Sequence, residues 1–282
     1  MSSQLSRSFF TSLSHFTEQK NLKKGRALHA QIFKTGLHSD LYLANTLVNL
    51  YAKCNLLSEA KFQFEEIQHK DVVSWNCIIN GFSQKGVKGG SLFVMKFFQR
   101  MRAEDSVPNP FTFAGVFTAA SSVCDVFGGK QAHTVAIKLG SCSDVFVGSS
   151  LLNMYCKSGL VCDGRKVFDE MPERNSVSWA TMISGYAGDR RGDDAVELFK
   201  LMRREENEEN EFVFTSVLSS LVVYEFVDVS RQIHGLAAKN GLLSFVAVGN
   251  ALVTMYAKCG SLEDAHKTFE LLSEKTLLLG LQ

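Results

Sequence analysis

The chain has 282 residues, of which 45% are hydrophobic and 21% are charged, a composition that favours a folded core over disorder. Its 30 basic and 29 acidic residues leave a net charge of +1, so no overall field points to nucleic acid or to a membrane. The seven cysteines form no CxxC pair, and no apolar run suits a secretory signal or a membrane span. We therefore expect reduced thiols, no metal, no cofactor and no membrane association.

In chain order, three stretches share one wording: NTLVNLYAKCNLLSEAKFQFE, SSLLNMYCKSGLVCDGRKVFD and NALVTMYAKCGSLEDAHKTFE. Their tyrosines are 104 and 101 residues apart, and one histidine slot repeats with the same two spacings. Two tryptophans are also 104 residues apart. Three independent markers with one period indicate an internal repeat, which is typical of solenoid proteins. The markers are Tyr51, Tyr155 and Tyr256, His29, His133 and His234, and Trp75 with Trp179.

The long period divides into three, so the chain is predicted to be a single array of eight repeats. Each repeat ends in most cases on Asp or Asn, and one repeat carries a three-residue insertion. Residues 277–282 are predicted to be the truncated start of a further repeat. The predicted repeats are 6–40, 41–71, 72–109, 110–144, 145–175, 176–210, 211–245 and 246–276.

Each repeat is predicted to form two amphipathic helices. In the last one, apolar residues recur every three or four positions on both sides of Gly260, whose residue type suits a helix C-terminus. Neither helix could bury its apolar stripe alone, so neighbouring repeats must stack. The predicted fold is all-α, a right-handed superhelical α-solenoid of stacked helix-turn-helix repeats without a β-sheet.

Repeat lengths of 35, 31 and 35 residues, with the wordings MYAKCGSLEDAHKTF, VSWATMISGY and GKQAHTVAIKLG, resemble the pentatricopeptide repeat family. More narrowly, they resemble its plant subclass that alternates long, short and standard motifs. Tetratricopeptide repeats are the rival assignment, but they keep a uniform 34-residue period and a different aromatic–glycine pattern. The resemblance implies sequence-specific binding of single-stranded RNA, one base per repeat.

The resemblance also implies which residues contact each base, namely the fifth and last residues of a repeat. It pairs Asn45 with Asp71 for uracil, Asn76 with Asn109 for a pyrimidine (cytosine preferred), and Ser149 with Asn175 for adenine. Asn250 is a further base-reading candidate, paired with Thr276 in a combination of uncertain preference. The implied base-stacking side chains are Tyr42, Val73 and Phe146, and the candidate phosphate contacts are Lys53, Lys157 and Lys258.

Some repeats depart from this pattern. Ala114 and Ala180 occupy fifth positions but have no side-chain hydrogen-bonding group, and the repeat of Thr215 ends in Phe245. The preference of these three repeats is left open. The zinc and acid–base motifs of cytidine deaminases, H-x-E and P-C-x-x-C, do not occur in the chain, nor does a phosphate loop or an HExxH helix.

The chain is accordingly predicted to be a non-enzymatic, monomeric adaptor that binds organellar RNA. Its predicted task is recognition of C-to-U editing sites, with a separate cytidine deaminase or editing cofactor protein as partner. The N-terminal residues contain no acid and many serines, as mitochondrial or chloroplast presequences do, and a mitochondrial location is preferred over the chloroplast. Two alternatives remain: a helical scaffold that binds protein, and a truncated family copy without a target.

Overall fold

A computed structural model of the chain describes residues 2–84, 89–205, 209–221 and 226–279, with side chains only between residues 4 and 272. Within these ranges it contains sixteen α-helices and no strand. The chain divides into two compact halves, residues 1–141 and residues 142–282. The all-α fold built from helix-turn-helix pairs is therefore the one that the sequence predicts.

The N-terminal half contains eight helices in four antiparallel pairs. The first helix of each pair is called helix A and the second helix B. Their bounds are α1 Ser2–Glu18, α2 Leu22–Lys34, α3 Leu41–Lys53, α4 Leu57–Glu66, α5 Val72–Phe82, α6 Gly90–Ala103, α7 Pro110–Ser122 and α8 Val126–Lys138.

The C-terminal half repeats this organisation. Its helices are α9 Val145–Lys157, α10 Val161–Glu170, α11 Ser176–Gly188, α12 Gly192–Arg204, α13 Glu211–Ser220, α14 Val227–Lys239, α15 Val246–Lys258 and α16 Leu262–Leu279. Helix α16 runs through the repeat boundary placed after residue 276, and residues 280–282 lie outside the described residues.

Most A helices begin directly after an acidic or amide residue. In six of them this side chain accepts hydrogen bonds from backbone N–H groups of the first turn. Such a cap is worth about 1 kcal/mol of stability. Phe245 precedes α15 and makes no side-chain cap. The six capping residues are Asp40, Asp71, Asn109, Asp144, Asn175 and Asn210.

The turn from helix A to helix B needs one residue in the left-handed region. Gly159 and Gly260 have φ values of 74° and 77°, which agrees with their predicted place at a helix end. Asn55 takes the same conformation in the equivalent turn after α3, with φ 60°. Asn tolerates this region better than most residues, so the turn persists without glycine.

Successive A helices pack side by side in each half, and each B helix packs on its own helix A and on the next one. The core lies between these two layers. In it, the ring of Phe64 on α4 meets Trp75 on α5 edge-on at 4.9 Å, and Phe168 on α10 meets Trp179 on α11 at 4.8 Å. Edge-to-face pairs of this kind add stability beyond the apolar area that they bury.

Small residues set the spacing of neighbouring A helices. A Cβ atom added to Gly81 of α5 would lie 2.6 Å from the Cβ of Ala52 on α3. A Cβ added to Gly185 of α11 would lie 2.6 Å from Cys156 Sγ on α9. Both glycines allow one helix to approach the next closely, and they fix the separation at which side chains reach from repeat to repeat.

Candidate nucleic-acid interface

The candidate residues of helix A share one side of the helix, because the second, fifth and thirteenth positions differ by whole turns plus less than a quarter of a turn. In α3 these positions are Tyr42, Asn45 and Lys53. Tyr42 is 75% exposed and Lys53 is exposed, whereas Asn45 is buried with 6% exposure. The helix thus carries an aromatic ring, an amide and a cation along one side.

The first predicted pair of base-reading residues is joined in the structure. Asn45 Nδ2 donates to Asp71 Oδ1 at 3.2 Å, which links α3 to the start of α5. The same Asp71 oxygen accepts the Ser74 backbone N–H and hydroxyl, both at 2.8 Å. Burial alone would raise the pKa of Asp71, but the hydrogen bonds from Ser74 and Asn45 outweigh it and lower the pKa. Asp71 therefore faces the candidate interface as a carboxylate.

The second predicted pair is also joined, with one further residue. Asn76 Nδ2 donates to Asn109 Oδ1 at 3.0 Å, and Thr112 Oγ1 donates to Asn76 Oδ1 at 2.6 Å. Thr112 also lies 3.1 Å from Asn109 Oδ1 and completes the capping box of α7. The orientation of the Asn76 amide is thereby fixed at both ends. Sequence reasoning did not single out Thr112, since a capping-box threonine normally serves only its own helix.

The third predicted pair is not joined. The Ser149 hydroxyl donates to the Val145 carbonyl of its own helix at 2.7 Å, and Asn175 accepts the Ser178 backbone N–H at 2.9 Å. Serine is shorter than asparagine, so its hydroxyl turns to the nearest carbonyl. Asn250 is exposed on α15, and the side chain of its predicted partner at position 276 lies outside the described residues.

The predicted stacking residues are exposed at the start of their helices, with Tyr42 at 75% and both Val73 and Phe146 at 49%. Three more A helices carry an exposed apolar side chain at the same second position, which sequence reasoning did not single out. Applying the repeat register to every unit would have found them. They are Phe111, Val177 and Phe212, exposed to 61%, 58% and 66%.

The three candidate lysines end their helices. Lys53, Lys157 and Lys258 are the last residues of α3, α9 and α15, and all three are exposed. A cation at a helix C-terminus interacts favourably with the helix dipole. This position also holds the charge about two turns from the fifth residue of the same helix.

The repeats without a fifth-position amide differ in their surroundings. Ala114 is buried, Ala180 is half-buried, and the Thr215 hydroxyl donates to the Phe212 carbonyl at 3.0 Å. Above Ala180, the helices α9, α11 and α13 line an open groove of about 850 Å³. Its rim includes Lys157, one of the candidate cations.

Other chemistry finds little support. Over the ranges that the structure describes, no group of three or more His, Cys, Asp or Glu side chains could hold a metal ion. Burial raises the pKa of Cys77 to about 11 and that of Cys156 to about 12, so both stay protonated thiols at neutral pH. No described helix combines the length and apolar character that a bilayer crossing requires.

Repeated helix pairs, with an amide–acid ladder along successive A helices, define a helical-repeat protein. The family model of the pentatricopeptide repeat (PPR repeat) matches residues 42–72, 73–87, 149–176, 177–206 and 250–277. The Arabidopsis thaliana pentatricopeptide repeat-containing protein At2g33680 is 50% identical over 260 residues, 92% of this chain and 36% of that protein. The chain belongs to the pentatricopeptide repeat family.

Two further Arabidopsis thaliana relatives carry organelle names. The mitochondrial pentatricopeptide repeat-containing protein At3g24000 is 35% identical over 96% of this chain and 42% of its own. The chloroplastic protein At4g18520 is 32% identical over 93% of this chain and 42% of its own. The chain thus spans less than half the length of these relatives. The crystal structure of maize PPR10 aligns with a TM-score of 0.47 at 14% identity, over 95% of this chain and 48% of that one.

Proposed function

We propose that the chain binds single-stranded RNA in a sequence-dependent manner, with the fifth and last residues of its repeats contacting the bases. The observation that carries the proposal is the pair of hydrogen-bonded side chains, Asn45–Asp71 and Asn76–Asn109. Each pair joins one repeat to the next beside an exposed apolar side chain, Tyr42 or Val73. A base could stack on the apolar side chain while its edge meets the polar pair.

The chemistry of the first pair favours uracil. Asn45 Oδ1 is buried and has no hydrogen-bond partner in the described structure. An unsatisfied buried acceptor costs about 1–3 kcal/mol, so a ligand that supplies an N–H would be stabilised there. Uracil carries an N–H in the middle of its base-pairing edge, whereas cytosine carries an acceptor at that position. Asn45 therefore supports the assignment of uracil to this repeat.

The second pair favours cytosine for the complementary reason. Asn76 Oδ1 already accepts from Thr112, so the amide offers only its remaining N–H to a ligand. The ring nitrogen of cytosine accepts such a bond, and the N–H of uracil does not. One asparagine is thus an acceptor and the other a donor, although both occupy the fifth position.

The remaining candidates extend the same scheme. Ser149 with Asn175 would contact adenine, and Asn250 would contact a further base. Phe146 would stack beside Ser149. The exposed Lys53, Lys157 and Lys258 would neutralise phosphates, which is a sequence-independent contribution to affinity.

A protein-binding scaffold is the competing function. The groove over Ala180 is lined mostly by neutral polar residues, with Asp189 as its acidic member. Hydroxyl and amide groups suit base edges and sugars, whereas a surface for basic peptides would be rich in carboxylates. The lining therefore supports RNA as the ligand.

At the level of the cell, we place the chain in organellar RNA metabolism, since its relatives carry mitochondrial and chloroplastic names. Its proposed task is to mark sites of C-to-U editing as a monomer of the alternating plant subclass, with the deaminase supplied in trans. A mitochondrial location is preferred, with the chloroplast as the alternative.

The decisive experiment is a binding assay on single-stranded RNAs in which each nucleotide is varied in turn. We expect one position that prefers uracil and an adjacent one that prefers cytosine. Exchange of Asn45 for Ser should move the first position from pyrimidine toward purine and leave its neighbour unchanged. Base discrimination of this kind is worth about 1–3 kcal/mol in well-packed interfaces, and we expect the lower end. Equal affinity for all RNAs, before and after the exchange, would contradict the proposal.

A further inference from the structure

The groove over Ala180 differs from the other candidate positions, because no polar side chain occupies the fifth position there. Val177 at one end and Phe212 at the other are 58% and 66% exposed, and both line the groove. Its volume of about 850 Å³ exceeds what one base needs. Polar groups for a base edge must therefore come from other residues of α11 and α13.

A chain of hydroxyl groups crosses the groove from α11 to α13. Ser184 Oγ donates to Ser216 Oγ at 2.9 Å, and Ser216 Oγ donates to the Phe212 carbonyl at 2.7 Å. A carbonyl oxygen cannot donate, so the Ser216 proton must point to it and the Ser184 proton must point to Ser216. Ser184 can then only accept a hydrogen bond from a ligand.

Two other residues complete the set of fixed groups. The Thr215 hydroxyl donates to the same Phe212 carbonyl, so it too is left as an acceptor. Asn210 uses its Oδ1 to cap α13, accepting from Phe212 N and Val213 N, and turns its amide N–H groups outward. The Thr181 hydroxyl can rotate to either role and adds no preference.

We propose that this groove selects a base that carries an exocyclic amino group and rejects uracil, with Ser184 and Thr215 as acceptors and Asn210 as donor. The inference rests on the proposed RNA-binding function. Adenine, cytosine and guanine each offer at least two N–H bonds and one acceptor on the base-pairing edge. Uracil offers one N–H between two carbonyls, so one acceptor of the groove would stay without a partner.

The groove lies one repeat after Ser149, so the selected base is the one that follows the proposed adenine. Because Ser184 is solvent-exposed, water competes for its lone pairs and the preference is modest. We expect uracil at this nucleotide to bind about threefold to tenfold more weakly than adenine, which corresponds to one ordinary neutral hydrogen bond.

The test uses the whole chain and RNAs with each of the four bases at each position of the best-binding sequence. Ser184→Ala removes an acceptor and should narrow the discrimination against uracil at one nucleotide to less than about twofold. Ser216→Ala releases the Ser184 proton, which can then donate to a uracil carbonyl, so uracil binding should improve selectively. Ser219→Ala is the matched control, because Ser219 occupies the equivalent ninth position of α13 and donates to the Thr215 carbonyl.

The inference is overturned if RNA binds with base preferences elsewhere but Ser184→Ala leaves every position unchanged. It is also overturned if Ser219→Ala has the same effect as Ser184→Ala at the same nucleotide. Absence of any base-dependent RNA binding in the unaltered chain would instead overturn the proposed function and this inference with it.

Discussion

His29 Nδ1 lies 2.8 Å from the hydroxyl of Tyr51, and this hydrogen bond joins helix B of one repeat to helix A of the next. His234 and Tyr256 make the same connection at 3.1 Å in the C-terminal half. In both cases the two residues are 22 positions apart. The repeated histidine slot thus has a structural role at the junction between repeats, where neither a metal nor a ligand is needed.

The first prediction concerns pH. Burial lowers the pKa of His29 and of His234 below the usual value of 6.5. Between the folded and unfolded pKa values the unfolded chain binds more protons, so stability falls as the pH falls below about 6.5. Urea unfolding between pH 7.5 and 5.5 should show this decline, before Asp71 and other carboxylates begin to titrate.

Exchange of both histidines for Gln provides the control. Glutamine can still hydrogen-bond the tyrosine hydroxyl but does not titrate, so the slope of stability against pH should flatten in this range. An unchanged slope in the double variant would show that other groups carry the pH dependence.

The second prediction concerns helix spacing. Gly81→Ala would bring a Cβ within 2.6 Å of the Ala52 Cβ, and neither atom can rotate away. The variant should lose about 1–3 kcal/mol of stability, as overpacked cores do. It should also weaken binding of the RNA read by Asn45 and Asp71, because α3 and α5 must separate.

Gly235 offers a matched control for that variant. It lies inside α14, and a Cβ there would meet no atom within 4 Å. Gly235→Ala should therefore stabilise the chain by about 0.5–1 kcal/mol through helix propensity alone. Equal effects of the two substitutions would argue against a close contact at Gly81.

The third prediction separates two asparagines that occupy the same slot. Thr112→Val removes the donor that occupies Asn76 Oδ1, so this oxygen becomes an acceptor like that of Asn45. Binding at the corresponding nucleotide should shift from cytosine toward uracil by about threefold. Ser74→Ala serves as the comparison, because Ser74 donates to Asp71 and leaves the Asn45 amide alone. The result to watch for against us is a base preference that Thr112→Val leaves intact.

The fourth prediction concerns salt. Lys53→Ala or Lys157→Ala should weaken binding of all RNAs alike and lower the slope of log affinity against log salt by about 0.7 per lost contact. Lys34 is the matched control, since it also ends a helix but belongs to a helix B. A base-dependent effect of Lys53→Ala would contradict a phosphate role.

The fifth prediction concerns the missing cap. Phe245→Asn would give α15 the side-chain cap that the other described A helices from α3 to α13 possess. Chemical denaturation should register a gain of about 1 kcal/mol. Asn210→Ala should give a loss of similar size, because Asn210 caps α13. A loss of stability in the Phe245 variant would mean that its ring packs more strongly than its 43% exposure suggests.

The sequence was sufficient for the helix pairs, since a period of three markers and a glycine at Gly159 and Gly260 locate turns without tertiary information. It also placed the Asn76–Asn109 pair correctly, because the repeat register aligns the fifth residue with the next helix start. It did not predict the Thr112 hydrogen bond or the separation of Ser149 from Asn175. Both depend on whether a side chain is long enough to reach across helices, which the pattern of residue types does not encode.

The double role of the capping residues has an evolutionary consequence. Asp71 and Asn109 each complete a base-reading pair and also start a helix, so a substitution there acts on target choice and on folding together. Asp, Asn, Ser and Thr all cap well, and exchanges among them cost little stability. A lineage can therefore drift from one transcript to another by single steps within this small set of residues. An apolar residue, as at Phe245, removes the repeat from that exchange and weakens the helix behind it.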